Sequence, residues 1–175
     1  MQIDRINEWN LTPDLETEIA DFLQLVFKTG FDGRSFYMQR HNLRLTLRDE
    51  GKLLGHMALS LRAIRLDDRL TDMVGLAEVS THPDARGRGI ASTLLKEAIA
   101  AARETVAPYF LLFGDAPLYA GHGFRPVTNE MRYTDLSDAR THGIEERKAT
   151  YLMVLELGDE PWPEDAKLDL LGWLF

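Results

Sequence analysis

The chain has no cysteine, which removes disulfides, thiolate metal sites and a cysteine nucleophile from consideration. It also lacks any apolar run approaching membrane-spanning length. The opening MQIDRINEWN is too polar for a signal peptide, so a cytoplasmic location with no membrane partner is expected. No Gly-Lys-Ser/Thr follows a glycine loop, which excludes a Walker phosphate loop. Positive charge is short: 20 Lys and Arg stand against 28 Asp and Glu, a formal charge of −8. That balance argues against a nucleic-acid groove and favours a cationic or amine-bearing partner, although it also serves solubility alone. No segment reads as low-complexity or repetitive.

What is present is an ordinary globular composition, 45% hydrophobic and 27% charged over 175 residues, expected to form one domain over residues 1–175. Thr12-Pro13-Asp14 reads as a helix start, and Leu15, Ile19, Phe22, Val26 and Phe27 recur at helical spacing to about Thr29, with Gly30 closing the helix. Leu43, Leu45 and Leu47 alternate with polar residues, and with Leu53 to Leu61 they read as a hairpin turning at Glu50-Gly51. Asp67-Asp68 marks another turn before a strand from Met73 to Thr81. Ile90, Leu94, Leu95, Ala98, Ile99 and Ala102 line one side of a helix that Pro108 stops, and Tyr109 to Phe113 reads as a short buried strand. A brief helix is expected over Ala116 to Gly121. Arg125 to Thr134 and Thr150 to Leu157 look like a final strand pair joined by a polar connection. The tail from Glu160 to Phe175 is too hydrophobic for a loose end and is expected to dock on the body or on a second subunit, which makes a homodimer an expectation. This order of elements describes an α/β (α+β) sandwich with a mixed sheet.

The most informative stretch runs from Val74 to Ala102: a strand, His82-Pro83-Asp84, then Arg86-Gly87-Arg88-Gly89-Ile90-Ala91 and an alanine- and leucine-rich helix. Gly87 and Gly89 let the backbone turn tightly and approach a ligand, leaving N–H groups unpaired by the protein. The helix adds its positive N-terminal end, so a pyrophosphate fits there. A dinucleotide fold of the Rossmann type fails on context, because the motif lies mid-chain after an antiparallel-looking meander and no acid ends a strand at the usual distance.

These residues resemble the GCN5-related N-acetyltransferase (GNAT) superfamily, whose signature is Arg/Gln-x-x-Gly-x-Gly/Ala at a strand-to-helix junction. Arg86 to Ala91 fits that signature, Val79 to Ala85 fits its lead-in, and Tyr119-Ala120-Gly121-His122-Gly123-Phe124 fits a second, Tyr-x-x-x-Gly-Phe element. The specific resemblance spans about Met73 to Val127. Leu168-Asp169-Leu170-Leu171-Gly172 is similar to a stretch in aminoglycoside 2'-acetyltransferases and nodulation acyltransferases. The resemblance implies a GNAT-like fold, a mixed and mostly antiparallel sheet with helices on both faces. It implies acetyl-CoA as co-substrate and direct transfer of acetyl to an amine on a small molecule or peptide.

By the same resemblance, the backbone of Arg86, Gly87, Arg88, Gly89, Ile90 and Ala91 would hold the pyrophosphate, and Val79, Ser80 and Thr81 would pair with the pantetheine arm. The Val79 N–H would polarise the carbonyl, and Tyr119 would be the general acid for the departing thiolate. The glutamate base of histone-modifying members falls on Gly75, so Glu78, on the cofactor strand, is the nearest candidate base; it could equally brace the loop. Asp115 is a further pocket candidate. Specificity is expected from Gly30 to Arg40, the turn near Asp67 and the Asp135–Lys148 connection; Phe31, Phe36 and Tyr37 are candidates to line an acceptor pocket, although aromatics at such spacing more often belong to the core. His82 and His122 read as structural or exposed, and no His/acid cluster has metal spacing, so no metal is expected. Two other readings stay open: an acyl-CoA-binding module without catalysis, and a longer-chain acyltransferase with a wider apolar tunnel.

Overall fold

A computed structural model describes the chain apart from Thr29 and Ala116. Ten strands form one sheet: β1 (Gln2–Asn7), β2 (Leu43–Asp49), β3 (Lys52–Leu66), β4 (Arg69–Thr81), β5 (Tyr109–Phe113), β6 (Arg125–Pro126), β7 (Glu130–Asp135), β8 (Gly143–Lys148), β9 (Leu152–Glu156) and β10 (Leu168–Trp173). Their order is β6-β9-β5-β4-β3-β10-β7-β8, with β2 pairing along the first half of β3 and β1 pairing with β2. The β4–β5 and β10–β7 pairs are parallel and the remaining pairs antiparallel. The helices are α1 (Pro13–Phe27), α2 (Ile90–Arg103) and the one-turn α3 (Pro117–Ala120). Among the described residues, no helix is long and apolar enough to cross a membrane.

The start of α1 follows its sequence: Thr12 caps it, its hydroxyl accepting from the Leu15 amide at 3.3 Å, with Pro13 in the first position. Its end does not. The helix stops at Phe27, and Lys28, not Gly30, is its cap, at φ 64 and with its amide donating to the Gln24 carbonyl; Thr29 lies outside the described residues. Helix α2 packs through Ile90, Leu94, Leu95, Ala98, Ala101 and Ala102 onto the leucine side of β2 and β3. Gly55 permits the close approach, since a Cβ there would lie 2.6 Å from the Ile90 side chain and 2.8 Å from Leu94. On the opposite face α1 packs Ile19, Phe22 and Leu23 against Phe31 and Leu53.

Four departures from the sequence reading follow from tertiary packing. Strand β1, inside a polar N-terminal stretch, forms by antiparallel pairing with β2. Arg125 to Thr134 is not one strand: β6 pairs β9, while β7 joins β10 and β8 at the other end of the sheet. The polar connection contains β8, all of whose residues are exposed, so its only support is the ladder with β7 and it carries no hydrophobic signal. The brief helix is α3 alone, and Ala116, where it was expected to start, lies outside the described residues.

The apolar tail docks within its own chain. Strand β10 wedges between β3 and β7, and Arg62 fastens it by donating to the Trp173 carbonyl at 2.7 Å and the Leu170 carbonyl at 3.0 Å. The Phe175 ring then fills the space over Gly75, where a Cβ would lie 2.6 Å from it.

Candidate active site

Strand β4 organises the site because it loses one neighbour partway along. It pairs with β5 only from Met73 to Leu76, and Ala77 to Thr81 run on without that partner. On its other side the ladder with β3 carries a bulge between Ala77 and Ser80, with Glu78 at φ 54. A bulge re-aims side chains. Glu78 and Val79, adjacent in sequence, accordingly line two different hollows that share Phe27.

The first hollow, about 630 Å³, is lined by Val79, Ser80, Thr81, Arg86, Gly87, Gly89, Ile90, Ala91 and Tyr119. Every expected cofactor residue except Arg88 is there. The Arg88 guanidinium instead bonds Asp49 at 2.8 Å, so at Arg88 only the backbone remains for the loop's purpose. Gly87 and Gly89 hold φ +78 and +76, and nothing lies within 4 Å of where a Cβ would be. Among the described residues, the amides of Gly87 to Ser92 meet no protein acceptor, and Gly89 caps α2 without a side chain. Open backbone donors at the positive end of a fourteen-residue helix suit a pyrophosphate. His122 braces this end: its Nδ1 faces the Leu118 carbonyl at 2.8 Å and its Nε2 the Ser92 hydroxyl at 3.1 Å, tying α2 to α3. His82 caps the short 3-10 turn before the loop, accepting from the Asp84 amide at 3.2 Å.

Tyr119 is 9% exposed, its ring edge-on to Phe124 at 6.3 Å and seated against Gly114. Burial, and then the charge of Asp115, push its phenol upward, so it stays protonated at neutral pH. Asp115 itself is exposed and lines neither hollow.

The second hollow, about 480 Å³, is apolar and aromatic, with Glu78 and His41 as its ionisable side chains besides the Tyr37 phenol. The Glu78 side chain is 3% exposed. Its Oε1 accepts from the Tyr37 amide at 2.9 Å, and its Oε2 accepts from Arg44 at 3.3 Å. His41 Nε2 approaches Oε1 to 2.9 Å but out of line, and makes no hydrogen bond among the described residues. Burial alone would raise the Glu78 carboxyl; the approach of His41 foremost, with smaller contributions from His56 and Arg44, holds it below the ordinary glutamate value. Sequence reasoning missed His41 and Arg44. The alternation of Leu43, Leu45 and Leu47 pointed Arg44 and Thr46 away from the core, yet both are fully buried on the α1 side of the sheet.

His56 lies beneath this cluster, fully buried, its Nε2 3.5 Å from Arg44 Nη1 and its Nδ1 3.4 Å from the Glu78 carbonyl. Burial drives its imidazole down from 6.5 to about 4, with Arg44 adding to the shift and Glu78 opposing it. The unfolded chain therefore binds a proton that the folded protein resists. This group's stabilisation is complete above about pH 6.5 and is lost as pH falls towards 4. Urea unfolding at pH 7 and pH 5 should show a loss of roughly 2 kcal/mol from this source, and His56→Gln should flatten that slope. Equal slopes in both proteins would remove His56 from the account.

The acetyltransferase (GNAT) domain family model matches residues 10–127. Among curated proteins no relative matches the sequence. Solved structures with the same fold include a GNAT family acetyltransferase from Brucella melitensis in complex with acetyl-CoA, with a TM-score of 0.62, 20% identity and 95% of each chain covered. Another is the GNAT family N-acetyltransferase YhbS from Escherichia coli in complex with CoA, with a TM-score of 0.66 and 18% identity over 97% of this chain and 90% of that one. The ribosomal-protein-S18-alanine N-acetyltransferase of Escherichia coli shares the fold at a TM-score of 0.59 and 15% identity, over 91% and 97%. The chain belongs to the GNAT acetyltransferase family, and its enzyme class is that of the GNAT-type N-acetyltransferases.

Proposed function

We propose that the protein transfers acetyl from acetyl-CoA directly to an amine held beside it. The observation that carries this reading is the parting of β4 from β5 after Leu76, with the open loop amides on one side of the bulge and the Glu78–His41 pair on the other. The loop from Arg86 to Ala91 would hold the pyrophosphate, and the free edge of Val79 to Thr81 the pantetheine arm. Acetyl-CoA supplies an activated carbonyl. The amine nitrogen bonds to that carbon and the carbon–sulfur bond breaks. The Val79 amide donates to the developing oxyanion, a contribution of about 3–4 kcal/mol for donors of this kind. Tyr119 protonates the departing thiolate, and the Glu78–His41 pair takes the amine's proton between its facing atoms.

Two measurements check this. Thermal unfolding with acetyl-CoA at about 100 times its Kd should show a stabilisation of roughly 2.7 kcal/mol, larger than with NAD. Mass spectrometry of amine mixtures incubated with enzyme and acetyl-CoA should then reveal an acetylated amide. Stabilisation by NAD rather than by any CoA would overturn the reading.

A further inference from the structure

We infer that the acceptor is a monoamine whose amino group is carried on a compact apolar body, aromatic or branched aliphatic, and not a polycation. This rests on the preceding reading of the chain as an amine acetyltransferase and names the substrate class of that site.

The first ground is what the second hollow is made of. Phe27, Phe31, Tyr37, Phe113, Trp173 and Phe175 surround a volume of about 480 Å³, a size suited to a small molecule. Phe27 is 39% exposed and Tyr37 44%, so apolar surface is left uncovered at the cavity. An occupant with an aromatic or branched body would remove that surface from water.

The second ground is charge. Glu78 is the only carboxylate side chain among the lining residues, and Arg44 and His41 already face it. One amine, losing its proton to the Glu78–His41 pair, can be accommodated. A second or third ammonium would enter an aromatic space whose side chains offer it no free counter-ion, and burying an unpaired charge is strongly unfavourable. None of the protein's exposed carboxylate side chains, which could attract a polycation, lines the cavity. Asp67, Asp68, Glu130, Glu145 and Glu146 are all exposed, around the hairpin of β7 and β8 and the turn after β3.

The third ground is how the wall is held. Arg62 has no carboxylate partner among the described residues; it donates instead to the carbonyls of Leu170 and Trp173 and lies 4.6 Å from the Trp173 ring. With Phe175 seated on Gly75, these contacts hold the tail in place as a fixed aromatic wall. A rigid wall discriminates by shape where a mobile one would adapt. The ion pair also speaks for an amine in this hollow and against the acyl chain of a longer acyl-CoA, for which a buried carboxylate would be a poor neighbour.

The test is a steady-state assay of thiol release at saturating acetyl-CoA, with amide formation confirmed by mass. Acceptors would be phenethylamine, tryptamine and isoamylamine against spermidine, kanamycin and a lysine-rich peptide, with octanoyl-CoA as an alternative donor. The monoamines should exceed the polycations in kcat/KM by roughly tenfold or more, the scale on which apolar pockets discriminate. Trp173→Ala should raise the KM for phenethylamine by about tenfold with the KM for acetyl-CoA unchanged. Preference for spermidine, kanamycin or the peptide overturns the inference, as does an unchanged phenethylamine KM in Trp173→Ala. Preference for octanoyl-CoA also overturns it, by giving the hollow to the acyl chain. If acetyl-CoA stabilises the protein and only polycations are acetylated, this inference falls while the acetyltransferase reading stands. No stabilisation and no turnover of any amine would overturn both.

Discussion

Replacing Tyr119 by phenylalanine is expected to lower the rate of acetyl transfer by about 10²–10⁴-fold while leaving acetyl-CoA affinity close to that of the wild type. The substitution deletes only the hydroxyl. The ring that packs edge-on against Phe124 and fills the space beside Gly114 remains, so the fold and the cofactor hollow should survive intact. The glycine loop proposed to hold the pyrophosphate lies elsewhere along the same hollow, and its open donors are backbone amides. Because burial and Asp115 both push the phenol upward, wild-type Tyr119 has a proton to give across the neutral range. Pre-steady-state measurement of thiol release, alongside acetyl-CoA titration by calorimetry, separates the two effects. An unchanged rate would reduce Tyr119 to a packing residue and leave the thiolate's proton to come from solvent.

The largest stability effect should come from Arg44→Met. Arg44 is fully buried, yet its guanidinium donates to Glu8 at 2.8 and 3.1 Å, to the Ser35 carbonyl at 2.5 Å and to Glu78 at 3.3 Å. Methionine keeps much of the volume and removes the charge. Breaking a buried pair from one side typically costs about 3–5 kcal/mol, because the partner is left desolvated without compensation. That is a large part of the ~5–15 kcal/mol by which domains are stable.

The pH dependence gives the effect a signature. In the wild type the Glu8 and Glu78 carboxyls are held below their ordinary values, so their contribution is present at neutral pH and lost on acidification. In Arg44→Met the Glu8 carboxyl loses the guanidinium that chiefly lowers it and Glu78 loses one of its lowering neighbours, so both should move upward from their wild-type positions. The stability that they contribute at neutral pH is then reduced, and the gap between variant and wild type narrows towards acid pH. Denaturant unfolding of both proteins from pH 4.5 to 8 tests this; a gap that stays constant or widens on acidification would show that Arg44 acts through packing alone.

The parts of this site legible in the sequence are the ones built from neighbouring residues. The turn at Gly87 and Gly89, the first turn of α2 and the strand before them are contiguous, and their chemistry is backbone chemistry. Glycine spacing and helical periodicity therefore report it directly. Tyr119 was legible for a similar reason, since α3 and the turn to Phe124 form one local unit in which the Tyr119 carbonyl accepts from the His122 and Phe124 amides.

Of the second hollow the sequence offered Glu78 and the aromatics of the Gly30–Arg40 connection, of which Phe31 and Tyr37 line it and Phe36 does not; the rest was not legible. His41, Arg44, Phe113 and Trp173 come from β2 and its approach, from β5 and from β10, and only the packed sheet brings them together. Alternation also misled at Arg44 and Thr46. A period of two says that these side chains share a face, but not that α1 and the segment after it would cover that face.

Taken alone, the amino-acid sequence determined the family, the glycine turn and the local unit that carries Tyr119, because each depends on short-range backbone geometry that a few residues impose. Tertiary structure decided where β4 loses its partner, which way Glu78 points, what neutralises it, and that the tail becomes a pocket wall. Those outcomes depend on which distant surfaces bury one another, and the free energy of that burial belongs to the assembled fold rather than to any segment of the chain.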